Sequence, residues 1–400
     1  MPLRAGMSSM PEDVGLSSSG LDRARAYVES CVATSEIAGA VVIASRHDEV
    51  AHLSCIGLRD IEGGLPMERD TIFRIASMTK PIVSVATLML ADAGRLRLDD
   101  PVSRYVPELA DVSVFDGVDG GQPRLVALER PITISHLLTH TSGLASEAPH
   151  PMVESAFRSL GDRRYTLPEM MRRLGAIPLA HQPGAAWQYG RSHDVLGRVI
   201  EVVADRPLDQ YLDSAIFAPL NMVDNGFYVP PEKTARLATV YESVAGVLVP
   251  TDDPEADEIT EHLPLLSGGG GCASTALDYL RFARMLLRRG ELDGVRLLKP
   301  ETVALMTRNH LTGPQYPVRF GENVSDGEGY GLGVGVRVGP SATRLGGSEG
   351  SYNWGGSWST DFWIDPGREL IGIFMSQREP RPFRSVGQEY WSLVCQALID

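Results

Sequence analysis

The chain has 400 residues, 43% of them hydrophobic, and a formal net charge of −14. This length and apolar content allow a large buried core and exclude a disordered or collagen-like chain. An acidic surface repels nucleic acids and anionic lipid heads, so we expect neither a nucleic-acid partner nor a membrane partner. The longest apolar stretch, 81–93, is too short and too interrupted to cross a bilayer. The first twenty residues lack the apolar run of a secretory signal, which predicts a cytoplasmic protein.

The first quarter of the chain predicts a helix, a hairpin and a second helix. Apolar residues near helical spacing follow a Ser-rich start over Leu21–Cys31. Two short β-rich runs, Ala40–Ser45 and Val50–Ile56, flank a polar tetrapeptide and predict an antiparallel hairpin. Ser77–Asp92 then has the composition of a helix, which Gly94 would end.

The middle of the chain differs from its end. Helical segments broken by Pro and Gly extend over 101–287, with a Gly/Asp-rich loop predicted at 111–130. After Gly329 the pattern returns to strands, which a closing helix follows. These strands are expected at Tyr330–Val338, Asp361–Asp365 and Leu370–Ser376, and the helix at Val386–Ile399.

Strands near both ends of the chain predict one discontinuous domain, because a single sheet would need both pieces. Residues 1–98 and 285–400 would form an α/β sheet domain. Residues 99–284 would form a helical domain inserted into it. We expect the active site between the two.

The first candidate for chemistry is an S-x-x-K pattern, formed by Ser77 and Lys80 at the predicted start of a helix. Residues three apart lie on one helix face, so the Lys80 ammonium can reach the Ser77 hydroxyl. A serine becomes a nucleophile when a neighbour removes its proton, and a desolvated lysine can do this or tune another base. With three lysines in the chain, chance supplies the pattern in roughly a quarter of such sequences. On this motif alone, Ser77 as a simple helix cap stays open.

Two later segments extend the pattern: QYGRSHDVLG at 188–197 and YNWGGSWSTDF at 352–362. Together with the S-x-x-K, and in this order, they resemble the three active-site elements of serine β-lactamases and penicillin-binding proteins. The flanking segments at 73–80 and 134–143 are similar to class C-like members of that group. From about Leu21 onward the chain is similar to the family VIII carboxylesterases, which hydrolyse esters on the β-lactamase plan.

The resemblance implies a fold and three catalytic residues. The fold would be β-lactamase-like, α/β plus α, with an antiparallel sheet flanked by helices and a second, mostly helical domain. Ser77 matches the nucleophile, Lys80 its partner lysine and Tyr189 the tyrosine base. Whether Tyr189 or a neutral Lys80 accepts the proton stays open.

The third segment matches the substrate-binding strand of that family. Ser357 matches the residue whose backbone N–H joins that of Ser77 in the oxyanion hole. Gly355 and Gly356 precede it, and Trp354 stands where β-lactamases carry a lysine. A desolvated cation holds a carboxylate strongly, whereas an indole offers apolar area. The resemblance therefore implies a preference for neutral esters over β-lactams.

Arg191 is a second departure from the family pattern, because class C enzymes have an asparagine there. A role in substrate binding and a plain surface ion pair both stay open for this residue.

The sequence predicts a serine esterase that hydrolyses short-chain neutral esters through an acyl-serine intermediate, with weak or no β-lactam hydrolysis. The alternatives are a β-lactamase or D-amino-acid peptidase, an acyltransferase, and a catalytically silent scaffold of the same fold. The partner would be a small-molecule ester, with no metal and no organic cofactor. Assembly into a homo-oligomer stays open.

Several other patterns are interpreted as structural. Ser348 lies in a G-x-S-x-G, but no histidine follows it in the chain to complete an α/β-hydrolase triad. His136 and His140 have the spacing of zinc proteases without the glutamate between them. The glycine run 268–271 lacks the strand and helix of a phosphate loop, and the acidic stretch 251–261 is interpreted as a solvated loop.

Overall fold

The computed structural model describes residues 10–145, 151–158, 160, 164–251, 258–320, 323–325, 327–339, 346–382 and 385–399. Most of the predicted acidic loop, 252–257, lies outside these described residues. The α-helices are α1 Ser18–Ala33, α2 Thr79–Asp92, α3 Ile134–Leu138, α4 Pro151–Arg158, α5 Leu167–Leu174, α6 Ser192–Ala204, α7 Leu208–Leu212, α8 Ala276–Leu287, α9 Pro300–Met306 and α10 Val386–Gln396.

The strands are short except in the first hairpin. They are β1 Gly39–Arg46, β2 Glu49–Asp60, β3 Leu65–Pro66, β4 Ile72–Arg74, β5 Val114–Asp119, β6 Gln122–Val126, β7 Tyr241–Val244, β8 Val247–Pro250, β9 Ala273–Thr275, β10 Glu291–Leu292, β11 Val295–Arg296, β12 Val318–Phe320, β13 Asn323–Ser325, β14 Glu328–Tyr330, β15 Gly335–Arg337, β16 Tyr352–Gly356, β17 Thr360–Asp365, β18 Leu370–Met375 and β19 Arg378–Glu379.

The main sheet has eight antiparallel strands in the order β14-β15-β16-β17-β18-β1-β2-β3. The first strand of the chain therefore lies beside one of its last strands, with Ile43 opposite Ile373. All eight residues of β1 are buried, as expected for a strand covered on both faces. The predicted β-lactamase-like fold class, with an antiparallel sheet flanked by helices, is confirmed.

Helices cover the two faces of this sheet. The first and last helices, α1 and α10, pack together on one face, where Trp391 stacks on Trp363 at 5.7 Å between ring centroids. On the other face α8 packs on β1, β17 and β18. Since α8 runs across residue 284, the boundary expected there falls within a helix, and the division into two domains stays a prediction.

The helical part of the chain brings α2 against α6. The first of these helices begins two positions after Ser77, and the second begins three positions after Tyr189. This packing is what brings two distant segments of the sequence to one site. Among the described residues, no helix is both long and apolar enough to span a bilayer.

Two sequence predictions were wrong in detail. The single strand expected over 330–338 is two strands, β14 and β15, because Gly333 has φ +90° and reverses the chain between them. The loop expected over 111–130 contains the β5–β6 hairpin, which turns at Gly120 and Gly121, both with positive φ. In both places glycines allow a tight turn that the apolar pattern did not reveal.

Candidate active site

Ser77 lies in a short 3-10 turn, Ala76–Met78, directly before α2 rather than inside the predicted helix. Ala76 has φ +42°, a left-handed conformation that costs free energy in a residue with a Cβ. Hydrogen bonds fix the residue before it: Ile75 N–H donates to the Cys272 carbonyl at 3.0 Å, and Thr360 Oγ1 donates to the Ile75 carbonyl at 3.3 Å. The turn thereby holds the Ser77 hydroxyl at the surface of a cavity.

Lys80 lies one helical turn after Ser77 and is 4% exposed. Its ammonium donates to Ser77 Oγ at 3.2 Å and to the Gly269 carbonyl at 2.5 Å, and it lies 4.5 Å from the centre of the Tyr189 ring. All three contacts are to uncharged groups. A buried cation of this kind stabilises negative charge that develops on the oxygens around it.

Tyr189 completes the contact set around the serine. Its hydroxyl lies 2.7 Å from Ser77 Oγ, a distance at which a proton can pass between the two oxygens. The fold thus brings together Ser77, Lys80 and Tyr189. Lys80 is 3 positions from Ser77 in the sequence, and Tyr189 is 112 positions from it.

The Gly355-Gly356 pair ends strand β16, and Ser357 begins the turn to β17. No described residue accepts a hydrogen bond from the Ser357 N–H. Ser357 and Ser77 line the same two cavities. This placement suits a free N–H donor beside the nucleophile.

Two cavities meet at Ser77, and Ser77, Tyr189 and Ser357 border both of them. The smaller cavity, of about 240 Å³, extends past Lys80 and the glycine run toward Arg191. The larger one, of about 390 Å³, extends along Trp354 and Phe320. A substrate with a group on either side of its reacting carbonyl could place one group in each cavity.

The model of one protein family, Beta-lactamase, matches residues 24–395 of the chain. The chain belongs to this family. Esterase EstB of Burkholderia gladioli is 34% identical to the chain over 372 residues, which cover 86% of each sequence. The recognition of a serine hydrolase on the β-lactamase plan, similar to the family VIII esterases, is thereby confirmed.

Two solved structures share the fold over nearly their whole length. EstCE1, described as a hydrolase with promiscuous acyltransferase activity, has a TM-score of 0.80 at 27% identity, covering 96% of this chain and 99% of its own. Simvastatin synthase LovD from Aspergillus terreus has a TM-score of 0.80 at 27% identity, covering 94% and 98%. The family thus includes relatives named as esterases and relatives named for acyl transfer.

Trp354 lies on the wall of the larger cavity. Its ring is 5.6 Å from the Tyr189 ring and 5.1 Å from the Tyr330 ring, measured between centroids. Phe320 extends this aromatic wall, 6.1 Å from Trp354. No signal in the sequence marks Phe320 or Tyr330 as part of this wall, because neither lies within the three motifs.

Arg191 lies in the smaller cavity, with Nη1 3.7 Å from Asp194 Oδ2 and its side chain 32% exposed. The Asp194 carboxylate is buried and lies within ion-pair distance of the guanidinium. Asp194 Oδ1 also accepts hydrogen bonds from Ser267 Oγ at 2.6 Å and from Gly269 N–H at 3.1 Å. Asp194 thereby holds the N–H of Gly269, the residue whose carbonyl accepts from Lys80, a role that sequence reasoning missed.

The glycine run 268–271 is a turn beside the site, as interpreted from the sequence. A Cβ on Gly268 would collide with the His193 carbonyl, and one on Gly271 would lie 2.7 Å from the Phe227 ring. Close packing, rather than a bound phosphate, accounts for glycine at these positions.

Behind Tyr189 lie two fully buried histidines. The His140 ring is 4.7 Å from the Tyr189 ring and 4.9 Å from the His193 ring, and neither of its nitrogens has a hydrogen-bond partner among the residues that the structure describes. His193 Nε2 lies 3.0 Å from Ser84 Oγ. Burial, with a smaller contribution from the Lys80 charge, holds the pKa of His140 well below its usual range. Burial likewise holds the pKa of His193 well below its usual range, so both rings are neutral where they pack behind Tyr189.

The other candidates from the sequence, Ser348 and His136, border neither of the two cavities at Ser77. Ser348 donates to Asp365 Oδ1 at 2.5 Å. His136 caps α3, accepting a hydrogen bond from the Thr133 N–H at 3.2 Å. In the described part of the chain, no group of three or more His, Cys, Asp or Glu side chains is placed to hold a metal ion.

Proposed function

We propose that this protein is a serine esterase that hydrolyses short-chain neutral carboxylic esters through an acyl-Ser77 intermediate. The observation that carries the proposal is the position of Ser77 Oγ, 2.7 Å from the Tyr189 hydroxyl and 3.2 Å from the Lys80 ammonium. A nucleophile with its proton acceptor and a cation in direct contact is the arrangement that acyl transfer requires.

The reaction would proceed in two halves. The Tyr189/Lys80 pair takes the proton of Ser77 as Oγ attacks the ester carbonyl, and the oxyanion is held by the N–H groups of Ser77 and Ser357. The C–O bond then breaks, and the alcohol leaves with the proton held by the pair. Water attacks acyl-Ser77 in the same way, losing a proton to the pair, and the free acid and Ser77 are regenerated.

The preference for neutral esters rests on the two cavities. Trp354 and Phe320 give the larger cavity an aromatic wall, which favours apolar groups over carboxylates. Arg191 borders the smaller cavity and Arg381 the larger one, and either guanidinium could oppose this preference. Each is paired with an acid, Arg191 with Asp194 at 3.7 Å and Arg381 with Asp361 at 2.5 Å. We therefore expect β-lactams, which carry a carboxylate, to be poor substrates.

An acyltransferase is the second candidate. The observation that favours it is the likeness to EstCE1, described as having promiscuous acyltransferase activity. An alcohol that enters a cavity after the first product leaves would attack acyl-Ser77 in place of water. Adding a primary alcohol to the esterase assay and measuring new ester against free acid would separate the two activities.

The test of the main proposal is hydrolysis of p-nitrophenyl butyrate by the wild type and by two serine variants. Ser77→Ala should lose at least about 10³-fold in kcat, because no other group forms the covalent bond. Ser348→Ala, the matched control in the G-x-S-x-G, should keep most of the activity. An inactive wild type, or activity that survives Ser77→Ala, would overturn the proposal.

A further inference from the structure

The peptide that joins Gly356 to Ser357 carries one half of the proposed oxyanion hole. Its carbonyl accepts hydrogen bonds from Arg381 Nη1 at 3.1 Å and from the Ser359 N–H at 3.2 Å. In a planar trans peptide the C=O and N–H bonds point in opposite directions. The group that holds the Gly356 carbonyl therefore also sets the direction of the Ser357 N–H.

Arg381 is fixed on several sides. Its Nη1 also donates to the Thr360 carbonyl at 3.3 Å, and its Nη2 donates to Asp361 Oδ1 at 2.5 Å. Asp361 is 3% exposed and accepts a further hydrogen bond from Ser385 Oγ at 3.3 Å. The rigid guanidinium plane thus ties the end of β16 to β17 and to the start of α10.

The two glycines of the motif fit around this arginine. A Cβ on Gly355 would collide with Arg381 Nη1 and with Asp361 Oδ1. A Cβ on Gly356 would collide with Thr360 Oγ1 and would lie 2.5 Å from the Ile75 carbonyl, two residues before Ser77. Glycine at position 355 therefore lets the Arg381–Asp361 ion pair approach the backbone. Glycine at position 356 lets the turn that contains Ser77 do the same.

We propose that Arg381, held by Asp361, is a positioning residue of the oxyanion hole, which fixes and polarises the Gly356–Ser357 peptide. A charge-assisted hydrogen bond to the carbonyl draws electron density from the peptide and makes its N–H a stronger donor. The inference rests on the proposed function, because it assigns Ser357 N–H to the oxyanion of acyl transfer. Its effect is confined to the transition state, where the negative charge appears.

The experiment compares Arg381→Met with Arg368→Met. The control removes an arginine that is paired with Asp365, at the far end of β17 from Asp361. For p-nitrophenyl butyrate, Arg381→Met should lower kcat by about 10- to 100-fold and leave KM within about threefold, since misdirecting one donor costs less than removing it. Affinity for butylboronic acid, which forms a tetrahedral adduct on a serine, should fall by a similar factor. Arg368→Met should change neither quantity.

Different outcomes separate the inference from the proposed function. A raised KM with unchanged kcat would make Arg381 a substrate anchor, and lost kcat with unchanged boronate affinity would place its effect outside the oxyanion hole; either result overturns the inference. Boronate binding needs no turnover. A wild type without esterase activity would therefore refute the proposed function, whereas the boronate affinities of the variants would still test the inference.

Two further variants cover the case in which Arg381→Met does not fold. Arg381→Lys keeps the charge, but a single ammonium cannot reproduce the paired contacts of the guanidinium with Asp361 and the Gly356 carbonyl. Asp361→Asn keeps the arginine but weakens the ion pair that fixes it. Both should lower kcat and boronate affinity in parallel, Asp361→Asn by the smaller factor. Unchanged values in both folded variants would overturn the inference.

Discussion

The two walls beside Ser77 are built on different principles. On one side Lys80, Gly269 and Asp194 form a chain of hydrogen bonds in which each group has at least two polar contacts. On the other side Trp354 and Phe320 offer ring faces, and within the described part of the chain the Trp354 Nε1 has no hydrogen-bond partner. A polar chain fails as a unit when one member is removed, whereas an aromatic wall changes mainly in shape and charge. We therefore expect the polar wall to set the rate and the aromatic wall to set the substrate.

The largest effect that would sharpen this comparison is expected at Tyr189, where the two walls meet. Tyr189→Phe removes the hydroxyl 2.7 Å from Ser77 Oγ and keeps the ring against Lys80 and Trp354. Losing a general acid–base group should lower kcat for p-nitrophenyl butyrate by about 10² to 10⁴-fold, with KM little changed. Tyr211→Phe on α7 removes a hydroxyl outside the site and should leave both constants unchanged. A Tyr189→Phe enzyme with near wild-type kcat would show that Lys80 alone accepts the proton of Ser77.

Trp354→Lys tests the aromatic wall directly. An ammonium in the larger cavity should lower turnover of p-nitrophenyl butyrate and strengthen binding of an anionic cephalosporin by about 1–3 kcal/mol, if it reaches the carboxylate. Trp354→Phe keeps an aromatic face without charge and should show no such gain.

An assay of the wild type with a β-lactam could contradict the role of the aromatic wall. Hydrolysis of benzylpenicillin at a rate comparable to that of butyrate esters would contradict the assignment of selectivity to Trp354. Arg191→Ala would then show whether the guanidinium already holds the carboxylate, because Arg191 borders the smaller cavity.

The smallest effect concerns the histidines behind Tyr189 and is one of stability. The pKa of His140 is held well below 6.5 in the folded protein, so below about pH 6.5 the unfolded chain takes up a proton that the folded chain does not. The free energy of unfolding should fall as the pH drops, by about 1.4 kcal/mol per pH unit for this group. Urea unfolding between pH 7 and 5 should give a shallower slope for His140→Phe than for the wild type. Parallel slopes for the two proteins would contradict the neutral state of the buried ring.

The parts of the site that the sequence predicted are those encoded locally. Ser77 and Lys80 are three residues apart, and the segments around Tyr189 and Trp354 resemble a known family, so position along the chain was enough. The sheet was predictable for the same reason, since fully buried strands such as β1 appear as apolar runs.

The parts that the sequence did not reveal depend on contacts between distant segments. Asp194 meets Gly269 across 75 positions, and Arg381 meets the Gly356 carbonyl across 25. The periodicity of apolar residues does not predict such hydrogen bonds, because each depends on how strands and helices pack. His140 was interpreted as structural from its sequence context, and its contact with Tyr189 could be seen only in the fold.

The measurement that most directly tests the account is the site of covalent modification by a fluorophosphonate probe, mapped by mass spectrometry of tryptic peptides. The probe should modify the peptide that contains Ser77 in the wild type and in Ser348→Ala, and it should leave Ser77→Ala unlabelled, including at Ser348. A label on Ser348, or on any residue while Ser77 stays unmodified, would contradict the central claim that Ser77 is the nucleophile.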